Sequence, residues 1–363
     1  MVLEQNKIKK ILIIKTHRLG DVLVTTPMIK ATSQMFPRAQ VDVLVYRDCY
    51  ELVEGLSFID KIWSIKRRDS FINNWKLWVN LLKEKYDLLF NLTFRTKADF
   101  YALSLGARFR VGYGSTFSKK NFIYTHLVGM PKTFRHEVEQ NLDALRRIGY
   151  FPKSDISLQY SIAKSAQPKI KKIFTKNKII PKQYVHLHPA SRWLFKCPPA
   201  YLVSKIVENL INQGKKIVIT CAPNDNEIKY TQEIIDSSPN IKSEIKAKNI
   251  INLSGKTNID QLALIAKNAE LYLGVDTLAM HLAAAMGTKI AVFFGPSGEK
   301  HWHPWQTPHI ILSDNNFTCR PCGLAGCGNS GKSECLSKFN PEIISYKILE
   351  FINSSIDENS YLV

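Results

Sequence analysis

Two carboxylates in this chain stand where a strand hands over to a helix, and each is set among groups that could do chemistry. The later one lies in Leu273-Gly274-Val275-Asp276-Thr277-Leu278-Ala279-Met280-His281, which places a carboxylate, a hydroxyl and an imidazole at one junction. A helix starting there aims unpaired backbone N–H groups at whatever lies in front of it, and such an end favours an anion. A phosphorylated ligand is the first expectation. Asp is also a preferred N-cap, so Asp276 acting only as a cap is the alternative. The earlier carboxylate is Asp21, beside Gly20 in Ile14-Lys15-Thr16-His17-Arg18-Leu19-Gly20-Asp21. A carboxylate at the edge of a binding site can take a proton from an attacking hydroxyl, or it too can merely cap a helix. No G-x-G-x-x-G and no G-K-[ST] loop accompanies Asp21, so neither a dinucleotide fingerprint nor a P-loop is present.

The elements that must hold these groups alternate. Ile8 to Lys15 reads as a buried parallel strand, and Asp21 to Met35 as a helix with Pro27 near its first turn. Val41 to Tyr46, Lys61 to Ile65 and Leu88 to Leu92 read as strands. Trp75 to Lys85 and Arg135 to Ile148 read as helices. Phe151 to Lys182 is poor in regular pattern and reads as a connection. The rhythm restarts with strands at Tyr184 to His188, Lys216 to Thr220, Ile250 to Leu253, Glu270 to Val275 and Lys289 to Phe294. Helices are expected at Pro199 to Gln213, Asn226 to Asp236, Ile259 to Lys267 and Thr277 to Met286, the last stopped by Gly287. Alternating strand and helix predicts an α/β fold of two doubly wound domains. Their ligands belong beyond the carboxyl ends of the strands. The divisions expected are 1–160, a linker at 161–182, a second domain at 183–340, and a C-terminal helix and tail at 341–363 that packs back on the first domain.

Fifty Lys and Arg against thirty-one Asp and Glu leave a formal charge of +19. Such a surface favours polyanions such as a phosphorylated glycan or anionic lipid headgroups. No nucleic-acid-binding signature is present. Local basic clusters lie at Lys66-Arg67-Arg68 and from Lys169 to Lys178. No apolar run reaches the length of a membrane span, and the polar start, Met1 to Lys10, does not read as a signal peptide; a cytoplasmic location is the expectation. Cys319, Cys322, Cys327 and Cys335 form C-x2-C-x4-C-x7-C in a Gly-rich loop. Four thiols at this spacing are competent for structural zinc or an iron–sulfur cluster. Reduced or redox-active thiols and, less in keeping with a cytosolic setting, disulfides are the other readings.

The segments "KILIIKTHRLGDVLVTTPMIKA" and "LGVDTLAMHLAAAMGTKIAVFFGPS", followed by "WHPW", resemble glycosyltransferase family 9, the heptosyltransferases of lipopolysaccharide core assembly. "HPASRWLFKCPP" and "CRPCGLAGCGNSGKSECL" are most similar to its heptosyltransferase III subgroup. The resemblance implies GT-B, two facing Rossmann-like domains, with the acceptor bound by the first and the nucleotide-sugar by the second. It implies transfer of heptose from ADP-heptose with inversion and no catalytic metal or other required cofactor.

Carried over residue by residue, the resemblance makes Asp21 the general base. Ser191 and Lys196 hold the donor diphosphate, Asp276 lies near the donor sugar, and Thr277 and Leu278 open the phosphate-binding helix. His281 belongs to the same motif. Arg192 is a further phosphate ligand or a surface arginine. Asp225 and Glu227, after the strand ending at Thr220, are candidates for the ribose hydroxyls, with Asp225 as a helix cap as the alternative. A small residue commonly follows the Asp-Thr pair in the family; Leu278 stands there instead and bears on the phosphate geometry. The partners implied are the nucleotide-sugar and the lipopolysaccharide core. The basic first domain, with Arg18 and Arg95 at the acceptor, would face the anionic inner surface of the cytoplasmic membrane. A same-fold transferase with another sugar or acceptor, or a non-catalytic nucleotide-sugar binder, is the alternative function.

Overall fold

The structure is a computed structural model that describes residues 4–68, 74–93, 96–114, 122–129, 133, 135–152, 155–238 and 248–354. The chain divides into two compact units, Met1–Ser161 and Ile162–Val363. The first carries β1 (Lys10–Lys15), α1 (Leu19–Leu23), α2 (Thr26–Met35), β2 (Gln40–Tyr46), β3 (Lys61–Ile65), α3 (Trp75–Glu84), β4 (Leu88–Asn91), α4 (Thr96–Ser104), β5 (Phe109–Tyr113), β6 (His126–Val128) and α5 (Glu137–Arg147). The second carries α6 (Gln167–Lys176), β7 (Tyr184–His188), α7 (Ala200–Asn212), β8 (Lys216–Ile219), α8 (Asp225–Asp236), β9 (Ile250–Asn252), α9 (Ile259–Asn268), β10 (Leu271–Val275), α10 (Leu278–Ala285), β11 (Ile290–Phe293), α11 (Glu299–Trp302), β12 (His309–Leu312), α12 (Glu334–Ser337) and α13 (Pro341–Asn353).

Each unit is built on a six-stranded sheet, in the orders β3-β2-β1-β4-β5-β6 and β12-β11-β10-β7-β8-β9. Every strand pair is parallel. The central strands are buried along their length, as the apolar runs Ile11 to Ile14 and Leu271 to Leu273 require of strands covered on both faces. In both sheets the strand order reverses between the first and fourth strands of the unit. There Ile14 pairs with Asn91, and Gly274 pairs with His188. These reversals are topological switch points, where crevices open beyond the carboxyl ends of the strands.

Several expectations are corrected. Asp21 to Met35 is two helices, not one. Pro27 has no N–H to offer the Leu23 carbonyl, and the Thr26 hydroxyl donates to it instead at 2.7 Å, while Thr25 Oγ1 donates to the Asp21 carbonyl. Asp21 therefore sits on its own short turn of helix. The 161–182 segment is not a bare linker: α6 buries Ile170 and Phe174 against Tyr184, Val218 and Ile265 of the second unit. In the C-terminal helix, Ile344, Ile348 and Ile352 of α13 belong to the apolar core of the second unit. Three strands, β5, β6 and β12, and helix α4 escape the sequence pattern. In α4 the buried set includes Asp99, which hides the apolar period.

Candidate functional site

At the first switch point the chain leaves β1 through Lys15, whose side chain is buried and donates to Glu137 Oε1 at 2.8 Å and to Asn141 Oδ1 at 3.1 Å, both on α5. The backbone N–H of Thr16 donates to Thr93 Oγ1, and the N–H of Thr93 to Asn91 Oδ1, so the ends of β1 and β4 are stitched together. Asp21 then points its carboxylate at His17, with 2.7 Å between Oδ2 and Nδ1. Burial, the largest influence, pushes the Asp21 carboxyl up, but the His17 imidazole and the Lys15 charge outweigh it and hold it below the usual carboxylate range, with Glu137 opposing. Asp21 is ionised at neutral pH and keeps 13% of its side chain open to solvent.

His17 was assigned no role from the sequence, although its spacing to Asp21 is that of neighbours on a helical face. Arg67 also takes a different part from the one its basic cluster suggested. It donates to the His17 carbonyl at 2.9 Å, binds Asp48 at 2.7 Å and stacks over the Tyr46 ring, which fixes the loop that carries His17. Lys66 and Arg68 are exposed, as is Arg18, which occupies the N-cap of α1. Arg95 lies outside the described residues.

The second switch point gathers residues from two strand ends. His188 closes β7, and beyond it Ser191 is buried, with its Oγ accepting the N–H of Trp193 at 3.2 Å. A short turn, Leu194–Lys196, brings Lys196 Nζ to 2.7 Å from Asp276 Oδ2, which follows β10. Asp276 is not the helix cap. Thr277 is the N-cap of α10, and its hydroxyl faces the Val275 carbonyl at 3.4 Å, so no side chain caps the first-turn N–H groups. Leu278 is the first residue of α10 and is half-buried, while Gly287 ends the helix with φ +68.

Beneath this loop lies a buried polar layer. Thr220 Oγ1 is shared by His186 Nε2 at 2.8 Å and His188 Nδ1 at 2.9 Å. Burial pushes both imidazoles down, His188 to about 4, so both are neutral. Gly274 is required here, because a Cβ would lie 2.5 Å from the His188 carbonyl oxygen and 2.6 Å from the Tyr272 hydroxyl. His281 is buried on α10 with its ring 6.2 Å from Trp302, which in turn packs edge-on to His301. The tryptophan serves packing here.

The remaining candidates have the following local surroundings. Arg192 is exposed beside the Trp193 ring. The cap of α8 is Asn224, not Asp225, which is exposed in the first turn. Glu227 is buried and spends its carboxylate on the Ala222 N–H and the Asn224 amide, closing the loop after β8. Among the described residues no group of three or more His, Cys, Asp or Glu is disposed to hold a metal ion. Cys319, Cys322 and Cys327 are exposed free thiols, and Cys327 Sγ accepts the Glu334 N–H. Cys335 is buried in the second core, and burial pushes its thiol up to about 11.

What the arrangement can do follows from its charges. One switch point offers an ionised carboxylate with an open edge. The other offers an ammonium, a buried carboxylate and an uncapped helix start, a set that suits a diphosphate bearing a polyhydroxyl group.

The model of the family described as glycosyltransferase family 9 (heptosyltransferase) matches residues 74–332. Lipopolysaccharide heptosyltransferase 3 of Escherichia coli (strain K12) is 30% identical over 315 residues, covering 83% of this chain and 87% of that protein. Among solved structures, a family 9 glycosyl transferase from Veillonella parvula DSM 2008 superposes with a TM-score of 0.79 at 17% identity, covering 95% of this chain and 97% of the other. The E. coli ADP-heptose lps heptosyltransferase II superposes with a TM-score of 0.76 at 17% identity, covering 94% and 98%. The two doubly wound units are those of the GT-B fold. The chain belongs to glycosyltransferase family 9, the heptosyltransferases.

Proposed function

We propose that this chain transfers heptose from ADP-heptose to the inner core of lipopolysaccharide, inverting the anomeric centre, with Asp21 as general base and no catalytic metal. The observation that carries the reading is the ionised, partly open Asp21 carboxylate at the end of β1, held toward His17. The names of the relatives supply the substrates: a lipopolysaccharide heptosyltransferase is 30% identical, and a structural neighbour is titled for ADP-heptose.

In this reaction the acceptor hydroxyl oxygen forms a bond to the anomeric carbon as the bond from that carbon to the β-phosphate oxygen breaks. The hydroxyl proton passes to Asp21, and the bonding electron pair leaves with ADP. Negative charge gathers on the diphosphate, and Lys196, the Ser191 hydroxyl and the first-turn N–H groups of α10 would meet it. Asp276 would then release Lys196 to the phosphates and accept hydrogen bonds from the sugar hydroxyls. Asp225 would reach the ribose more readily than Glu227, whose carboxylate is already engaged. Arg192 would add a phosphate contact, Leu278 would border the phosphates, and His281 would support α10 from behind through Trp302. Arg18 and Arg95 would receive the acidic acceptor.

No helix among the described residues is long and apolar enough to cross a membrane. With a charge of +19, the protein would act in the cytoplasm, held peripherally on the anionic inner face of the membrane that carries its acceptor. The test of the chemistry is Asp21→Asn, which should lower turnover by about 10²- to 10⁴-fold and leave ADP-heptose binding intact by calorimetry. Unchanged turnover would remove Asp21 from the reaction. A panel of nucleotide-sugars scored by turnover separates ADP-heptose from other donors.

A further inference from the structure

Helices α3 and α4 of the first unit leave an aromatic and aliphatic face in solvent. Trp75, Phe100 and Leu103 are 53%, 40% and 44% exposed. They form one patch, because Trp78 bridges the helices. Its ring lies 5.7 Å from that of Trp75 and 6.3 Å from that of Phe100, and its Nε1 donates to Ser104 Oγ at 2.9 Å. Leu81 is the one fully buried residue of α3, although Trp75, Leu77, Trp78, Val79 and Leu82 are also apolar. The packing of the unit therefore does not account for this surface, and a contiguous apolar face of this kind marks an interaction site.

The charges around the patch identify what it meets. Lys76 and Lys83, on one flank of α3, are exposed, as is Lys97 at the start of α4. The two carboxylates on these helices are both engaged. Glu84 binds Lys10 and Lys61, each at 2.6 Å, and Asp99 is buried against Asn91 and Tyr124. The face thus presents indole, phenyl and isobutyl groups with ammonium groups beside them, and both carboxylates of the two helices are already engaged. Indole rings settle at headgroup depth, and lysines reach outward to lipid phosphates.

We propose that the α3–α4 face is the surface through which the protein docks on an anionic lipid bilayer, with Trp75, Phe100 and Leu103 entering the interface and Lys76, Lys83 and Lys97 pairing with headgroup phosphates. This rests on the peripheral attachment proposed above and assigns it to one surface. Binding of this kind grows with the apolar area inserted and with attraction to anionic lipid.

The experiment is cosedimentation of the full chain with vesicles of phosphatidylethanolamine and phosphatidylglycerol, and with vesicles of phosphatidylcholine alone. The wild type should bind the first and not the second. The triple variant Trp75→Ser/Phe100→Ser/Leu103→Ser should bind the anionic vesicles at least about tenfold more weakly with an unchanged thermal midpoint. Leu103→Trp should bind them more tightly, with the wild-type thermal midpoint and no pelleting in the absence of vesicles. Failure of the wild type to bind anionic vesicles overturns peripheral attachment itself. Wild-type binding that neither the triple variant nor Leu103→Trp alters leaves attachment standing and overturns the assignment to this face. A wild-type dimer that the triple variant dissolves, seen by sedimentation velocity, makes the face an interface between copies and also overturns the proposal.

Discussion

Lys196 and Asp276, 80 positions apart in the chain, meet at 2.7 Å across the strand-order reversal of the second unit. Asp276 is almost fully buried there, while Lys196 keeps 22% of its side chain open. Under the function proposed above, the pair would store a cation for the diphosphate leaving group and neutralise a carboxylate that would otherwise repel it.

Removing either partner alone separates these two roles. Lys196→Met should destabilise the fold by roughly 3 kcal/mol, because it strands a buried carboxylate. It should also cost on the order of 10²- to 10³-fold in kcat, because a donor to the leaving group is gone. Adding Asp276→Asn should restore most of the stability without restoring turnover. Urea denaturation and steady-state kinetics on the four proteins measure both. A double variant that recovers turnover would show that Lys196 serves only Asp276.

His17 should tune Asp21. Burial raises the carboxyl, and His17 is the largest influence that lowers it. In His17→Gln that opposition weakens, so the acid limb of the kcat/KM profile should move to higher pH, since the base must lose its proton to act. The measurement is the pH–rate profile of the variant beside the wild type. An unmoved acid limb would mean that Asp21 does not feel His17 during catalysis.

The buried histidines should make the second unit sensitive to acid. His188 is lowered from the ordinary 6.5 to about 4 in the folded state. Between those values the unfolded chain binds a proton that the native chain refuses, so stability rises with pH and falls as the solution is acidified from 6.5 toward 4. The loss assignable to His188 is about 3 kcal/mol, with His186 adding in the same direction. Unfolding free energies measured across that window should slope less steeply in His188→Asn. An equal slope would show that the imidazole is protonated in the folded protein.

Much of this was legible from residue order alone. The runs Ile11 to Ile14 and Leu271 to Leu273 had to be buried parallel strands, because no alternation offers a face to water. Gly287 had to end a helix, and its φ of +68 agrees. The motifs around Asp21 and Asp276 lie just beyond the strands at which the two sheet orders reverse. The failures have local causes. The sequence places Pro27 near the first turn of one helix from Asp21 to Met35, but the threonine hydroxyls that end α1 depend on which carbonyls they can reach. Asp225 was weighed as a cap because Asp often is one, yet Asn224 reached the Glu227 N–H first.

Residue order thus settled the alternation of elements, the two doubly wound units and the carboxylates at their switch points, because hydrophobic period and helix-terminal chemistry are properties of neighbours along the chain. Contact between distant positions was beyond its reach. That Asp276 takes Lys196 instead of capping α10, that Arg67 holds the His17 carbonyl instead of facing outward, and that Trp78 joins α3 to α4 are decided by folding. The sheet brings these groups within bonding distance, and burial then sets which partner each charge must take.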